Sequence, residues 1–591
     1  MGGRPLRSSP PSSPSSLDRF VVIFSSIVCS LFTLGLVASL WNLPSPKTTN
    51  RRGLFSFHKS INLSRSGIDD VHDVDDIHNS ADDLDDELSM LHEEGMTIGD
   101  LGNNFGNTKS QGSQLLRKLR DFSNIYTHAN IPQAKWPISI RDEDGDFEDV
   151  VHPGHRAKNH PDVIMSVPKM WIDDPVSIHQ NKLMTRDLAM KIGSCTVPDA
   201  SGNFARGGNC PLNERTIYVA IASYRDYQCR DTVTSIFERA SHPDRIRVGV
   251  IDQIDDGEDL HCDAPYEPCS ENPEQMLCKY KNQLDILQVD PLLSVGPVFA
   301  RHLGHRLYRG EYYYMQSDAH VTYANNWDVD IISQQEATKN EMAVLSTYLS
   351  KFEGALDENG DSVLKGRPIM CDTVFEQGQH NHYLRHDVQP QGPPVIKGTP
   401  QLHPFWSAGF SFSRGHFVVN VPYDFYQPLI FQGEEMSIGV RGFTIGYDFY
   451  APEKSVCFHH YRSKNSKRKQ VPKFYDNNRV YAGAGIQSMS RLLGIVHMNP
   501  ELDPSRWDHT DEEKYGIGGV EFRSPEHFYE IFGIDVKNKS TQGHLCDFVS
   551  KGDMHKMFTP YLRADGMGID YSKIDYKFTD PRPLETDDDE E

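Results

Sequence analysis

Residues 311–328 read EYYYMQSDAHVTYANNWD. The aromatic run Tyr312 to Met315 has the β-favouring composition and the brevity of a buried strand. It breaks into Ser317-Asp318-Ala319-His320. A carboxylate and an imidazole two residues apart, where a strand ends, can point into one crevice, and open α/β sheets bind ligands there. An acid with a histidine suits a divalent ion that accepts oxygen and nitrogen ligands, such as manganese. A surface turn carrying a polar Asp and His is the plain alternative, so the surroundings have to decide.

Upstream, Thr216 to Ser223 (TIYVAIAS) is a continuous apolar run ending in Ser-Tyr-Arg-Asp. It reads as a buried strand of the parallel type followed by a loop. Val233, Ile236, Phe237 and Ala240 recur at helical spacing, and His242-Pro243-Asp244 stops that helix. Arg245 to Ile251 gives a second strand, closed by Asp252. Strand, helix and strand in succession make a βαβ unit, so the expected class is α/β with a parallel or mixed sheet. Pro297 to Arg309 reads as a helix leading into the strand before Asp318, and Met342 to Thr347 as a further strand. Arg225, Asp252 and Asp318 then lie near strand carboxyl ends.

Further along, His403 to Phe410 is a stretch of aromatic and small residues suited to lining a pocket. Glu434, Glu435, Ser437 and Arg441 follow at near-helical spacing, so that a carboxylate and a guanidinium share a face. Then come Cys457-Phe-His-His-Tyr-Arg462 and a basic run through Arg468, Lys469 and Lys473. A histidine beside a basic loop can complete a metal site and neutralise a diphosphate. A solvated basic loop is the alternative.

The chain of 591 residues is long enough for several domains or for one large domain with appendages, and its 38% hydrophobic content permits a sizeable core. A net charge of −23 argues against nucleic acid as a partner, since phosphate repels acidic surfaces. Phe20 to Trp41 carries no charge and is long enough to cross a hydrocarbon layer of roughly 30 Å. The run exceeds a signal-peptide core, and Trp41-Asn42-Leu43-Pro44 is a poor cleavage site. Charge does not settle orientation: Arg4, Arg7 and Arg19 precede the span, while Lys47, Arg51 and Arg52 follow it. A short tail, one span and a long body read as a type II signal anchor. Asp69 to Glu94 forms an acidic, aromatic-poor tract that stays extended, as a stem would. It lacks EF-hand spacing. Leu115 to Phe122 reads as a short helix.

Cys29 lies in the span, and the other nine cysteines suit disulfides in an oxidising lumen with one thiol left over. The trio at 262, 269 and 278 does not have zinc-finger spacing. Asn62-Leu-Ser and Asn538-Lys-Ser fit glycosylation sequons. The boundaries expected are a cytoplasmic tail 1–19, a transmembrane anchor 20–41, a stem 42–209, a catalytic domain 210–560 and an acidic tail 561–591. They place the protein as a single-pass type II protein of a Golgi or endoplasmic reticulum membrane, with its catalytic domain in the lumen.

Ala222-Ser-Tyr-Arg-Asp226, Gln316-Ser-Asp-Ala-His320 with Trp327-Asp328, and His459-His-Tyr-Arg462 together resemble the polypeptide α-N-acetylglucosaminyltransferases. That family includes enzymes modifying hydroxyproline and enzymes starting mucin-type chains. The resemblance covers about residues 214–480. A weaker similarity, through the D-x-H motif, Gly433-Glu434 and the His-x-aromatic-Arg block, links the chain to polypeptide N-acetylgalactosaminyltransferases. It implies a glycosyltransferase A fold, a UDP-GlcNAc donor, manganese or another divalent cation, retention at the anomeric carbon and a protein acceptor. Carried across, Asp318, His320 and His459 bind the metal. Ser223, Arg225 and Asp252 bound the uridine site, Arg301 approaches Asp318, and Arg462 opens the basic loop over the diphosphate. Glu434, Glu435 and Arg441 are the candidate catalytic residues, and no nucleophile is expected. The chain has Asp-Ala-His where the related transferases have Asp-Ser-His, and the His459-His460 pair leaves the third ligand open by one position. A lectin-like protein on the same fold and a metal-dependent hydrolase are the competing classes.

Overall fold

The parallel strands are set by the longest apolar runs in the chain, and a computed structural model shows how they stack. It describes residues 147–578 except 157–162, 199–200, 202–203, 378–381, 463–470, 478–479 and 482. The expected anchor, the acidic stem, the helix at Leu115 to Phe122 and the sequon at Asn62 lie outside these residues. No helix among the described residues is long and apolar enough to cross a membrane.

Ten strands build the site: β1 (Ile217–Tyr224), β2 (Ile246–Gln253), β3 (Leu284–Val289), β4 (Tyr313–Asp318), β5 (Val321–Tyr323), β6 (Ala343–Ser346), β7 (Gln401–Leu402), β8 (Phe410–Arg414), β9 (Asp448–Ala451) and β10 (Cys457–His459). Eight form one sheet in the order β7-β9-β6-β8-β4-β1-β2-β3. β3, β2, β1 and β4 are mutually parallel. β8 is antiparallel to both β4 and β6, and β9 is parallel to β6. The sheet is therefore mixed, as expected. β2 is buried along its whole length, which fits its apolar run Val248 to Ile251; the buried Arg247 within it is paired with Glu311 and Asp285. β5 and β10 form a separate antiparallel pair at the end of β4.

Helix α1 (Cys229–Glu238) crosses from β1 to β2, α2 (Pro297–Arg306) leads towards β4, α3 (Trp327–Ala337) follows β5, and α4 (Glu434–Ile445) precedes β9. Proline at the first position of α2 fits a backbone already set for the helix; the helix ends at Arg306, not Arg309. α4 starts after Gly433, whose φ of 90° is open to glycine at little cost, and two acids follow in its first turn, favoured by the helix dipole.

The structured body begins before residue 210 and continues past 560. The hairpin Phe147–Val151 with Ile164–Pro168 reaches α2, where Arg306 donates to Glu148 Oε1 (2.5 Å) and to the Pro168 carbonyl (3.0 Å). Ile178, Met184, Ala189 and Ile192 belong to the main core, as do Ile569 and Tyr571 at the other end. Such short apolar groups among polar residues fall below the density by which a core is read from sequence. Four disulfides join Cys195–Cys210, Cys229–Cys262, Cys269–Cys278 and Cys371–Cys546, and Cys457 is a buried thiol.

Candidate active site

In register, Ala222 of β1 pairs with Asp318 of β4, and Ser223 pairs with Asp252 of β2. Three candidate residues thus share the carboxyl edge of the parallel strands. The Asp318 amide donates to the Gly409 carbonyl (3.2 Å). A Cβ on Gly409 would lie 3.0 Å from Asp318 Oδ2, so glycine there makes room for the carboxylate.

The chain turns after Asp318 into β5, and β10 pairs with β5 in the register His459 to Val321. This pairing sets the His320 and His459 rings 4.4 Å apart, nearly perpendicular. His459 Nε2 is 3.5 Å from Asp318 Oδ2. One ligand atom from each of Asp318, His320 and His459 lies within 4.8 Å of the others. His460 turns the opposite way, as alternation along an extended segment requires: its Nε2 lies 2.8 Å from the Thr322 hydroxyl, and its ring packs on Phe352.

Asp318 Oδ1 accepts from Arg301 Nη2 (2.9 Å), and Arg301 Nη1 reaches both oxygens of Glu434 (2.5 and 2.6 Å). Glu434 also accepts from the Tyr423 hydroxyl (2.7 Å). Burial alone would raise the Asp318 carboxyl; the His459 imidazole and the Arg301 and His320 charges outweigh it and bring it down to about 2. Burial works against the Arg301 charge too, and Glu434, Tyr423 and Asp318 hold it ionised.

Glu435 points elsewhere on α4. Its carboxylate takes the Ala408 amide (2.8 Å) and the Tyr348 hydroxyl (3.0 Å). Burial pushes it up to about 7 against those two donors. Arg441, two helical turns on, does not join the glutamates. It is buried, donates to the Gly516 carbonyl (3.3 Å), and is lowered to about 10 by burial despite Asp424. Sharing a helix face does not bring side chains together when roughly 10 Å of axis separates them.

At the β1–β2 end, Arg225 sits at φ 51° and is held by Asp259 (2.7 Å) and Glu258 (2.9 Å). Asp252 is buried, accepts from the Cys262 amide (3.0 Å), and is raised by burial to about 6. Cys229 and Cys262 lie close to it, but their sulfurs are joined in a disulfide and are not thiolate ligands. Arg462 is half-buried, two residues beyond His460.

Two residues to which the sequence assigned no role complete the site: Asp226, quoted above only as part of a motif, and Thr232. Asp226 Oδ2 lies 2.7 Å from His320 Nδ1. The Thr232 hydroxyl donates to the Ala319 carbonyl and accepts from the Val321 amide, both at 2.9 Å. A hydroxyl thus braces the Asp-Ala-His turn from α1, although the turn itself carries none.

One carboxylate oxygen and two imidazoles make a donor set that fits a divalent cation with mixed oxygen and nitrogen ligands. Among the described residues the buried Nδ1 of His459 has no hydrogen-bond partner, which also fits a ligand's role. The model of the family described as Glycosyltransferase (GlcNAc) matches residues 216–272 and 263–538, more than half of the chain, and the chain belongs to that family. It is a glycosyltransferase by family. A search of curated protein sequences returned no significant match. Among solved structures, GalNAc-T7 with UDP, GalNAc and Mn2+ is 14% identical, with a TM-score of 0.36, over 65% of this chain and 71% of that one. S. aureus TarS 1-349 in complex with UDP-GlcNAc is 13% identical, with a TM-score of 0.26, over 50% and 74%. The mannosyltransferase PcManGT from Pyrobaculum calidifontis in complex with GDP-Man and Mn2+ is 9% identical, with a TM-score of 0.26, over 49% and 66%.

Proposed function

We propose that this protein is a metal-dependent, retaining transferase of the glycosyltransferase A type. It moves N-acetylglucosamine from UDP-GlcNAc to a hydroxyl of a protein acceptor: hydroxyproline, serine or threonine. The observation that carries this reading is the meeting of Asp318, His320 and His459 at the carboxyl edge of the parallel strands, in a chain whose family is one of GlcNAc glycosyltransferases.

Asp318, His320 and His459 would hold a divalent cation, manganese by their oxygen and nitrogen chemistry. When bound, such a cation acts as a Lewis acid on a departing diphosphate. Arg301 keeps Asp318 ionised and oriented, and Glu434 balances the Arg301 charge so that the pair tolerates burial. Ser223 and Asp252 bound the uridine end, and Arg225 ties the loop beyond β2 to that edge through Asp259 and Glu258. Glu435, close to neutral pH in its titration, holds or releases a proton on the wall formed with Tyr348 and Ala408. Arg462 supplies positive charge for the diphosphate from the segment after β10.

The four disulfides support a lumenal, oxidising setting. With the uncharged span at 20–41, they favour a type II protein of a Golgi or endoplasmic reticulum membrane. UDP release from UDP-GlcNAc, measured with an acceptor-peptide library, tests the reading. Manganese should support release and EDTA abolish it; release indifferent to EDTA, or none from UDP-GlcNAc, rejects it. Protease treatment of sealed microsomes should leave the body intact, and its digestion without detergent rejects the topology.

A further inference from the structure

We infer that Asp226 is a positioning residue that fixes the tautomer and orientation of His320 within the metal-binding cluster. The inference rests on the proposal that Asp318, His320 and His459 hold a divalent cation. Asp226 ends the loop after β1, 94 residues before its imidazole partner, and is 5% exposed. Its two oxygens do different things. Oδ1 accepts the Gln228 amide (3.0 Å) at the start of α1, and Oδ2 faces His320 Nδ1 (2.7 Å).

An ionised carboxylate only accepts hydrogen bonds, so Nδ1 carries the proton and Nε2 keeps its lone pair. That is the tautomer a metal ligand needs, and carboxylates behind ligating imidazoles act in this way. The surrounding turn is rigid enough to transmit the orientation. Cys229, three residues after Asp226, is joined to Cys262. Thr232, one turn further, grips the backbone on both sides of Ala319–His320. Imidazole and backbone of the Asp-Ala-His turn are thus both held from one short segment.

A structural role alone would be to cap the start of α1 through Oδ1, and the test separates the two roles. Asp226→Asn keeps an oxygen for the Gln228 amide but replaces the acceptor facing Nδ1 with an amide donor, which favours the opposite tautomer. On the full chain, binding of MnCl2 is followed by loss of the free Mn2+ electron paramagnetic resonance signal, with and without UDP. The Asn variant should bind Mn2+ about 10–100-fold more weakly, and spin-echo modulation of the bound ion should show one imidazole nitrogen where the unaltered protein shows two. Its unfolding midpoint in EDTA should match that of the unaltered protein. Asp226→Glu, which keeps a carboxylate, should recover most of the affinity, and it carries the test if the Asn variant does not fold. If His320→Ala weakens Mn2+ binding while Asp226→Asn leaves both affinity and modulation unchanged, the positioning role is overturned and the metal site stands. Absence of Mn2+ binding by the unaltered protein overturns both.

Discussion

Two arginines, Arg247 on β2 and Arg301 on α2, each sit between two carboxylates, at opposite edges of the sheet. At the amino edge, Arg247 of β2 donates to Glu311 (2.5 Å), Asp285 (2.7 Å) and the Leu307 carbonyl (2.6 Å). Glu311 uses its other oxygen on the Arg309 amide (2.9 Å), and the arginine is fully enclosed. At the carboxyl edge, Arg301 joins Glu434 and Asp318, but Asp318 Oδ2 faces the His459 imidazole and the Asp318 side chain is 21% exposed. The same three charges make a scaffold when both carboxylates are enclosed by the protein. They make a site when one oxygen is left for a ligand.

Arg247→Leu gives the largest effect expected from this contrast. It strands two buried carboxylates and should cost about 3–5 kcal/mol, read as a lower urea midpoint or loss of folded protein. A midpoint within about 1 kcal/mol of the unaltered value would show that the closed cluster is not what holds that edge.

Asp318→Asn at the open cluster should shift the balance from stability to activity: the midpoint should fall less than in Arg247→Leu, because Glu434 still pairs Arg301. Turnover should fall by more than the roughly 100-fold that losses behind a metal ligand reach. Turnover within a few-fold of normal would take Asp318 out of the reaction.

The histidine pair sharpens the contrast within one strand. His459→Ala should raise the manganese concentration needed for half-maximal activity by about 10-fold or more. His460→Ala should leave that concentration unchanged and cost about 1 kcal/mol for its bond to Thr322. Interchanged results would reverse the facing seen in β10.

Glu435 gives an effect that shows only as a pH dependence of stability. Its carboxyl titrates near 7 in the folded protein against 4.5 unperturbed, so the folded state holds a proton that the unfolded state releases across that window. The unaltered protein therefore loses stability as pH rises from about 4.5 to about 7 through this group. The stability of Glu435→Gln relative to it should rise over the same window, by about 1–3 kcal/mol at most, and level off above. Urea midpoints across that range check this, and a flat difference would place the Glu435 carboxyl in the ordinary range.

Much of this was legible in the chain and some was not, for identifiable reasons. β1, β2 and β4 announce themselves because strands buried on both faces are rich in apolar and aromatic residues, and Asp318 and His320 follow from where β4 must end. The facing of His459 was not legible until the pairing of β10 with β5 fixed its register. Asp226 and Thr232 act on residues 94 and 87 positions away, a distance that no local pattern encodes. Arg441 misled because helical periodicity reports the face and not the position along the axis.

Asp448 on β9 has a consequence that lies in time. Its carboxylate is completed by Asn340 (2.8 Å), by Arg523 75 residues later (2.7 Å), and by the Ile569 amide 121 residues later (2.8 Å). At about 5–20 residues per second of synthesis, β9 emerges from the ribosome roughly ten seconds before its last partner. Until Arg523 emerges this carboxylate has no cationic partner, and until Ile569 emerges one of its hydrogen bonds is unmade, while β1 to β4 already have their neighbours. The newborn chain thus completes its site before it completes the contacts that lock β9 in place.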